Sequence, residues 1–137
     1  LFATTLPDTP DLIRWTIGEE GFAMHLSGQV PGHIAHALAR PDVRDLILNG
    51  DGVKDVDSWA IHAGGRSILD AVETGLGLSP DMLRESREVL ARFGNMSSST
   101  LMFVLADLLV DPKRERGIAM AFGPGLAVEG FRFERAG

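Results

Sequence analysis

The sequence has no cysteine among its 137 residues. The chain can therefore form neither a disulfide nor a zinc–thiolate site, and it supplies no thiol nucleophile of its own. Long apolar runs are missing as well, because the longest one, over residues 101–110, is interrupted by Asp107. A helix that crosses a bilayer needs about 20 apolar residues, so the sequence predicts no membrane span.

Positive charge is also scarce: 13 Lys and Arg residues stand against 19 Asp and Glu residues, which gives a net charge of −6. This balance disfavours nucleic-acid binding, which depends on neutralising phosphates, and it is ordinary for a cytoplasmic protein, where we expect this one. A length of 137 residues with 45% hydrophobic residues predicts one domain over residues 1–137. Because the chain starts at Leu1 without a basic leader, we expect no signal peptide and interpret it as a piece of a longer protein.

Hydrophobic spacing predicts an α/β fold, with a mixed sheet packed with helices. Residues 1–11 contain Pro7 and Pro10 and are predicted to be loop. The predicted strands are a hairpin, a buried strand and a closing pair, at residues 12–17 and 22–26, 58–61, and 118–122 and 126–133. The predicted helices lie at residues 31–48 with a break at Pro41, 68–76, 80–93 and 97–109.

Polar residues and glycine are predicted to begin and end two of these helices. Ser79 precedes Pro80 and is expected to cap the helix that follows, and the Ser/Thr run at 97–100 is expected to cap the next one. Gly94 is typical of a residue that ends a helix.

His62 is the first candidate for chemistry. It follows the predicted buried strand and precedes Gly64, Gly65 and the start of a helix. Ligands bind at the carboxyl ends of strands in open α/β sheets, glycines leave room for close approach, and a helix N-terminus favours negative charge. The alternative is a histidine that only hydrogen-bonds within the strand–helix junction, and position alone does not separate the two.

Asn95 is the second candidate. It lies between two predicted helices, after Gly94 and before Ser97, and taken alone it is typical of a helix cap. Paired with His62 it becomes a candidate for catalysis, since an imidazole N–H and an amide N–H are neutral donors that can stabilise an oxyanion.

The remaining patterns are weaker. His33 and His36 have the spacing of a shared metal site, but no third ligand is evident, so we predict no metal. The Gly-Pro-Gly at residues 123–125 is by itself only a turn. We assign the following carboxylates to polar helix faces, where they make poor candidates for a buried pair: Glu73, Glu85, Glu88 and Glu115.

Three segments of the sequence correspond to motifs of a known family. They are WAIHAGGRSILD at residues 59–70, SREVL at 86–90 followed by GNMSS at 94–98, and AFGPGL at 121–126. In this order and spacing they resemble the His-Pro-Gly-Gly stretch, the catalytic-Asn segment and the Gly-Phe-Gly-Pro-Gly-Leu loop of type III polyketide synthases, the chalcone and stilbene synthase family. The resemblance covers nearly the whole chain, and its compact loops fit a bacterial member.

The resemblance implies a thiolase-like fold built of two similar halves, with this chain as the C-terminal half. It implies a Cys-His-Asn site in which His62 and Asn95 are the last two members and the cysteine belongs to the N-terminal half. The implied reaction is decarboxylative condensation of malonyl-CoA onto an acyl-CoA starter, by a homodimer that uses no cofactor besides these CoA thioesters. The chain alone is expected to be inactive, because it has no nucleophile.

The resemblance also implies which residues contact substrate or CoA: Met24, Gly64, Gly65, Ser67, Ser97, Gly123 and Pro124. Three positions depart from the plant enzymes. Ala63 stands in place of a proline, Met24 in place of a gatekeeping phenylalanine, and Trp15 in place of a small pocket residue. The pocket is therefore expected to differ from that of a plant chalcone synthase, which leaves the starter and the chain length open.

Two alternatives stay open on the sequence. β-Ketoacyl-acyl-carrier-protein synthase III shares the fold and also uses Cys, His and Asn, although Met96 and the Gly-Pro-Gly turn favour the polyketide synthase. A non-catalytic thiolase-fold module for binding or assembly would equally lack the cysteine.

Overall fold

The computed structural model describes residues 1–5, 13–19, 21–62, 64–123 and 126–136, and of residues 13–15 and 22–26 the backbone only. Its strands are β1 Phe2–Thr5, β2 Ile13–Gly18, β3 Gly21–Leu26, β4 Ser58–Ile61, β5 Arg116–Gly123 and β6 Ala127–Glu134. Its helices are α1 Val30–Ala39, α2 Pro41–Leu48, α3 Arg66–Leu76, α4 Arg84–Phe93 and α5 Ser99–Leu109. A short 3-10 segment, Pro80–Leu83, comes directly before α4.

The main sheet is mixed, with the strand order β1-β6-β5-β4. β4 runs parallel to β5, whereas β5 with β6 and β6 with β1 are antiparallel. The parallel pairing needs a long crossover, and α3, α4 and α5 provide it between β4 and β5. β2 and β3 form a separate antiparallel hairpin. The predicted hairpin, buried strand, closing strand pair and mixed sheet are confirmed.

Helices cover both faces of the sheet at β4. Trp59 and Ile61 belong to a large core cluster that includes residues of α1 and α3, while Ala60 belongs to a smaller cluster. The smaller cluster is formed with Val89 of α4 and Leu108 of α5. Successive side chains of a strand point to opposite faces, so β4 is enclosed between two helical layers, as its short apolar run predicts.

Two predicted helix boundaries are confirmed. α1 ends at Ala39, Arg40 is extended with a ψ of 135°, and α2 begins at Pro41. The residue before a proline is disfavoured in the helical conformation, which explains the break. Gly94 ends α4 with a φ of 70°, a left-handed conformation that glycine adopts without steric cost.

The prediction of loop over the first residues is wrong where the structure describes them. Phe2–Thr5 forms β1, which pairs with β6, and Phe2 is 7% exposed. A strand of four residues is too short to show a period, and its partner lies at the far end of the sequence. Residues 6–11, the rest of the predicted loop, lie outside the described residues, as does Leu12.

The predicted side-chain caps are also wrong. Ser79 makes no capping hydrogen bond through its side chain, and the chain enters α4 through the 3-10 segment. Ser98, the residue before α5, makes none either. Instead Thr100 Oγ1 accepts the backbone N–H of Met96 at 2.9 Å, so the Ser/Thr run orders the link between α4 and α5 from within the helix.

Candidate active site

His62 lies directly after β4, at the carboxyl end of the parallel strand pair. Its backbone N–H donates to the carbonyl oxygen of Met120 on β5 at 2.9 Å, so the pairing extends to the histidine itself. The residue is half-buried, and Nδ1 is buried with no hydrogen-bond partner among the described residues. Burial lowers the pKa of His62 below its usual 6.5, which favours the neutral imidazole near neutral pH. Because Nδ1 is enclosed, Nε2 is the ring nitrogen that can reach a substrate.

The turn between His62 and α3 leaves open space over the start of the helix. A Cβ at Gly65 would meet no atom within 4 Å, and a Cβ at Gly64 would meet only Ile68, at 3.9 Å. Gly65 has a φ of 172°, an extended backbone that any residue adopts. Ser67 is exposed beside this space in the first turn of α3. The glycines are therefore not required by the described backbone, and the space is available to a ligand.

Asn95 is exposed in the link between α4 and α5. Its Oδ1 accepts the backbone N–H of Ser97 at 2.8 Å, and Ser97 has a left-handed backbone with a φ of 59°. Since an N–H donates only to an acceptor, this bond fixes which end of the amide is the oxygen. The cap and donor interpretations are thus compatible: the oxygen shapes the link, and Nδ2 keeps its two N–H donors.

Helix α4 connects the segment that carries Asn95 to the strand that precedes His62. Near its start, Ser86 Oγ accepts the backbone N–H of Ile61 at 3.1 Å. Beyond its other end, Met96 packs against the core cluster that contains Ala60. The Ser86 bond is made to the last residue of β4, so α4 links the segment that carries Asn95 to the strand that precedes His62.

The structure describes only some of the other residues that were predicted to contact substrate. Gly123 is the last residue of β5 and pairs with Ala127 of β6. Because β4 and β5 are parallel, Gly123 lies at the same end of the sheet as His62. Ala63 and Pro124 lie outside the described residues. Of Met24 and Trp15 only the backbone is described.

The assignment of Glu85 to a polar helix face is wrong, and Glu73 is only partly exposed. Glu85 is 7% exposed, and its Oε1 accepts hydrogen bonds from Arg114 at 2.6 Å and Arg84 at 3.2 Å. The Glu73 side chain is 16% exposed and pairs with Arg87 at 2.7 Å. A buried carboxylate is tolerated when cations pair with it, and two of these cations, Arg114 and Arg87, lie 29 and 14 residues away from their partners in the sequence.

His33 and His36 are exposed on α1. Among the described residues no group of three or more His, Asp or Glu side chains could hold a metal ion. Within the same ranges, no helix has the length and apolar character needed to cross a bilayer.

Solved structures of polyketide synthases have this fold. PKS-I from the brown alga Ectocarpus siliculosus aligns with a TM-score of 0.89 and 33% identity, over 98% of this chain and 38% of that one. Tetrahydroxynaphthalene synthase from Streptomyces coelicolor, a bacterial type III polyketide synthase, aligns with a TM-score of 0.86 and 30% identity, over 98% and 40%. The predicted α/β fold, the C-terminal half of a thiolase-like fold, is confirmed.

Sequence relatives agree with the structural ones. The chain is 38% identical over 138 residues to an alpha-pyrone synthesis polyketide synthase-like protein, Pks18, of Mycobacterium tuberculosis. The match covers 97% of this chain and 35% of the relative, so the chain spans about a third of its length. The family model for the C-terminal domain of chalcone and stilbene synthases matches residues 2–135. The resemblance seen in the three motifs is confirmed, and the chain belongs to the chalcone and stilbene synthase family.

Proposed function

We propose that this chain is part of an acyltransferase that extends an acyl-CoA starter with units from malonyl-CoA by decarboxylative condensation. The observation that carries the proposal is that α4, the helix that leads to Asn95, is bonded to the strand residue before His62 and so links two neutral donors. One is the half-buried His62, whose pKa is lowered by burial. The other is Asn95, whose oxygen is engaged by Ser97 so that Nδ2 can donate. Membership of a family of transferase enzymes supports the proposal.

The first step needs a nucleophile that this chain does not contain, since it has no cysteine. We assign that role to a cysteine in an N-terminal half of the same protein. Its thiolate attacks the thioester carbonyl of the starter, a new thioester bond forms, and the CoA thiolate leaves and takes up the proton that the cysteine gave up. The Nε2–H of His62 donates a hydrogen bond that stabilises the cysteine thiolate.

In the second step malonyl-CoA loses CO2, and the electrons of the broken C–C bond form a thioester enolate. The Nε2–H of His62 and the Nδ2–H of Asn95 donate to the enolate oxygen. The enolate carbon then attacks the acyl thioester, and the cysteine thiolate leaves. A donor of this kind typically contributes a factor of about 10²–10³ in rate. Both donors are neutral, so neither brings a charge that would compete for the thiolate.

The substrate contacts are proposed around these two donors. The residues that we assign to the pocket and to CoA binding are Met24, Gly64, Gly65, Ser67, Ser97, Gly123 and Pro124. The open space over the turn before α3 supports the assignment of Gly64 and Gly65. The reaction needs no cofactor besides the two CoA thioesters, and we place it in the cytoplasm with the pool of these substrates.

The exposed side of α5 supports an N-terminal half as partner. α5 is apolar on most sides: Val104 is fully buried in the domain, whereas Met102 and Phe103 are 64% and 45% exposed. A helix that is apolar all round is normally enclosed in protein. We propose that the N-terminal half packs on Met102 and Phe103, and that the whole protein is a homodimer, as in the family that it resembles.

The proposal is tested by incubating the full-length protein with malonyl-CoA and a panel of acyl-CoA starters, followed by mass spectrometry of the products. We expect products in which one or more C2H2O units have been added to a starter. Repeated extension on CoA substrates supports a polyketide synthase. A single extension that requires an acyl carrier protein would instead support a β-ketoacyl-acyl-carrier-protein synthase III. No extension with any starter, in a protein without an upstream cysteine, would indicate a non-catalytic module.

A further inference from the structure

Ser86 is a helix residue whose hydroxyl is bonded to a strand. The residue is fully buried, and its Oγ accepts the backbone N–H of Ile61 at 3.1 Å. A serine hydroxyl inside a helix usually faces solvent or bonds to the carbonyl oxygen one turn earlier. Ser86 instead places its oxygen at the last residue of β4, directly before His62.

The N–H of Ile61 cannot be satisfied by β5. The next N–H in the chain, that of His62, donates to Met120 on β5, and successive N–H groups of a strand point to opposite sides. The Ile61 N–H therefore points away from β5, and β4 is the edge strand of the described sheet on that side. A buried N–H without an acceptor is strongly unfavourable, so the Ser86 hydroxyl holds the end of β4 in place.

Arg87, the next residue of α4, binds to α3, the helix that follows His62 in the chain. Its Nη2 lies 2.7 Å from Asp70 Oδ1 and 2.7 Å from Glu73 Oε1, and its Nε lies 3.2 Å from Glu73 Oε1. Both carboxylates belong to α3, the helix that follows the turn after His62. Ser86 and Arg87 of α4 thus contact β4, which precedes His62, and α3, which follows it.

The same helix leads to the second donor. α4 ends at Phe93, and Gly94 and Asn95 follow directly. A helix is stiff over ten residues, so the contacts near its start also determine where its end lies relative to β4. We infer that Ser86 is a positioning residue that sets the location of His62 relative to Asn95, with Arg87 as a second contact.

This inference rests on the proposed function, because the separation of the two donors matters only if they serve one substrate oxygen. A displacement of about 1 Å in such a site can lower the rate about 10²-fold. The contact itself does not depend on that function, so it can be tested with and without substrate.

The kinetic test compares Ser86→Ala, Ser86→Thr and Ser58→Ala in the full-length protein. Ser58 is a matched control, because it is a buried serine at the other end of β4, with its Oγ bonded to Asp57 at 2.9 Å. We expect Ser86→Ala to lower kcat for malonyl-CoA decarboxylation at least about tenfold with little change in KM. Ser86→Thr keeps the hydroxyl and should recover most of the activity, and Ser58→Ala should resemble the wild type. An equal loss in Ser58→Ala would show a general effect of strand stability and overturn the inference.

A second measurement detects His62 without substrate. With 15N-labelled histidine, we expect one sharp set of His62 ring resonances in the wild type and in Ser86→Thr, and shifted or broadened resonances in Ser86→Ala. If Ser86→Ala does not fold, Ser86→Cys takes its place, because a thiol of similar size is only a weak acceptor. Unchanged resonances in a folded Ser86→Ala or Ser86→Cys protein overturn the inference. Altered resonances in a protein that does not decarboxylate malonyl-CoA support the contact while the proposed function fails.

Discussion

The side-chain oxygen of Asn95 accepts the backbone N–H of Ser97 at 2.8 Å. Each end of the Asn95 amide can therefore have its own role. The oxygen shapes the link between α4 and α5, and the nitrogen can donate hydrogen bonds. Aspartate has a second oxygen in place of that nitrogen. A substitution at this position can therefore keep the first role and remove the second.

Asn95→Asp is expected to fold like the wild type but to decarboxylate malonyl-CoA about 10²–10³-fold more slowly in the full-length protein. The carboxylate still accepts the Ser97 N–H, whereas it offers no N–H to the enolate oxygen. CO2 release and the urea unfolding midpoint are measured together. Asn49→Asp is the control, since Asn49 directly follows α2 and lies near Arg116 and Gly117, at the end of the β4–β5 pair opposite to His62. Full activity in Asn95→Asp would remove Asn95 from the site.

The half-buried ring of His62 is expected to make stability depend on pH. Burial lowers its pKa below the usual 6.5, so below that pH the unfolded chain binds a proton that the folded chain does not. Stability then rises with pH through this window. The free energy of unfolding should fall from about pH 7.5 to about pH 5.5, and the fall should end once the pH is below the lowered pKa.

His62→Gln is expected to flatten this dependence. Urea unfolding at a series of pH values gives the slopes. The same slope in His62→Gln and in the wild type would show that the ring titrates normally in the folded chain.

Gly75 allows the close packing of α3 on α1. A Cβ at this position would lie 2.7 Å from the Cβ of Leu38 and 2.8 Å from the carbonyl oxygen of Ala35. Gly75→Ala should therefore lower the free energy of unfolding by about 1–3 kcal/mol, the usual cost of overpacking. Gly32→Ala is the control, because a Cβ there would meet no atom within 4 Å and alanine is favoured in a helix. Urea unfolding of both variants should show changes of opposite sign, and equal changes would argue against close packing at Gly75.

The chain by itself should associate through the exposed side of α5. Met102 and Val110 are 64% and 80% exposed, and apolar surface of this kind usually marks a contact with another protein. Light scattering should show oligomers of the isolated chain, and a hydrophobic dye should bind to it. Met102→Lys should reduce both signals, whereas Ala39→Lys, which adds the same charge on the exposed side of α1, should not. A monomer without dye binding would contradict the proposed partner surface.

Local patterns in the sequence predict most of the fold. The helices and most strands were predictable because their apolar residues recur at fixed spacing. The position of His62 after a strand was predictable from the local sequence as well, because a buried strand, two glycines and a helix follow one another in the chain. β1 was not, because it pairs with β6 and its four residues carry no period.

The burial of Glu85 and the role of Ser86 were not predictable, because they depend on contacts between residues that are distant in the sequence. Glu85 looks solvated in its helix, and its partner Arg114 follows 29 residues later. Ser86 contacts Ile61 across 25 residues, and nothing in the local pattern distinguishes it from a serine that faces solvent. The hydrogen bond of Asn95 is local by contrast, because it joins residues two positions apart, but it forms only once the link between α4 and α5 is folded.

The most direct measurement of the central claim is CO2 release from malonyl-CoA by the full-length protein and by its His62→Ala variant. The account predicts release by the wild type and a rate lower by about 10²–10³-fold in the variant, with an unchanged circular dichroism spectrum. A folded His62→Ala protein that releases CO2 at the wild-type rate would contradict it.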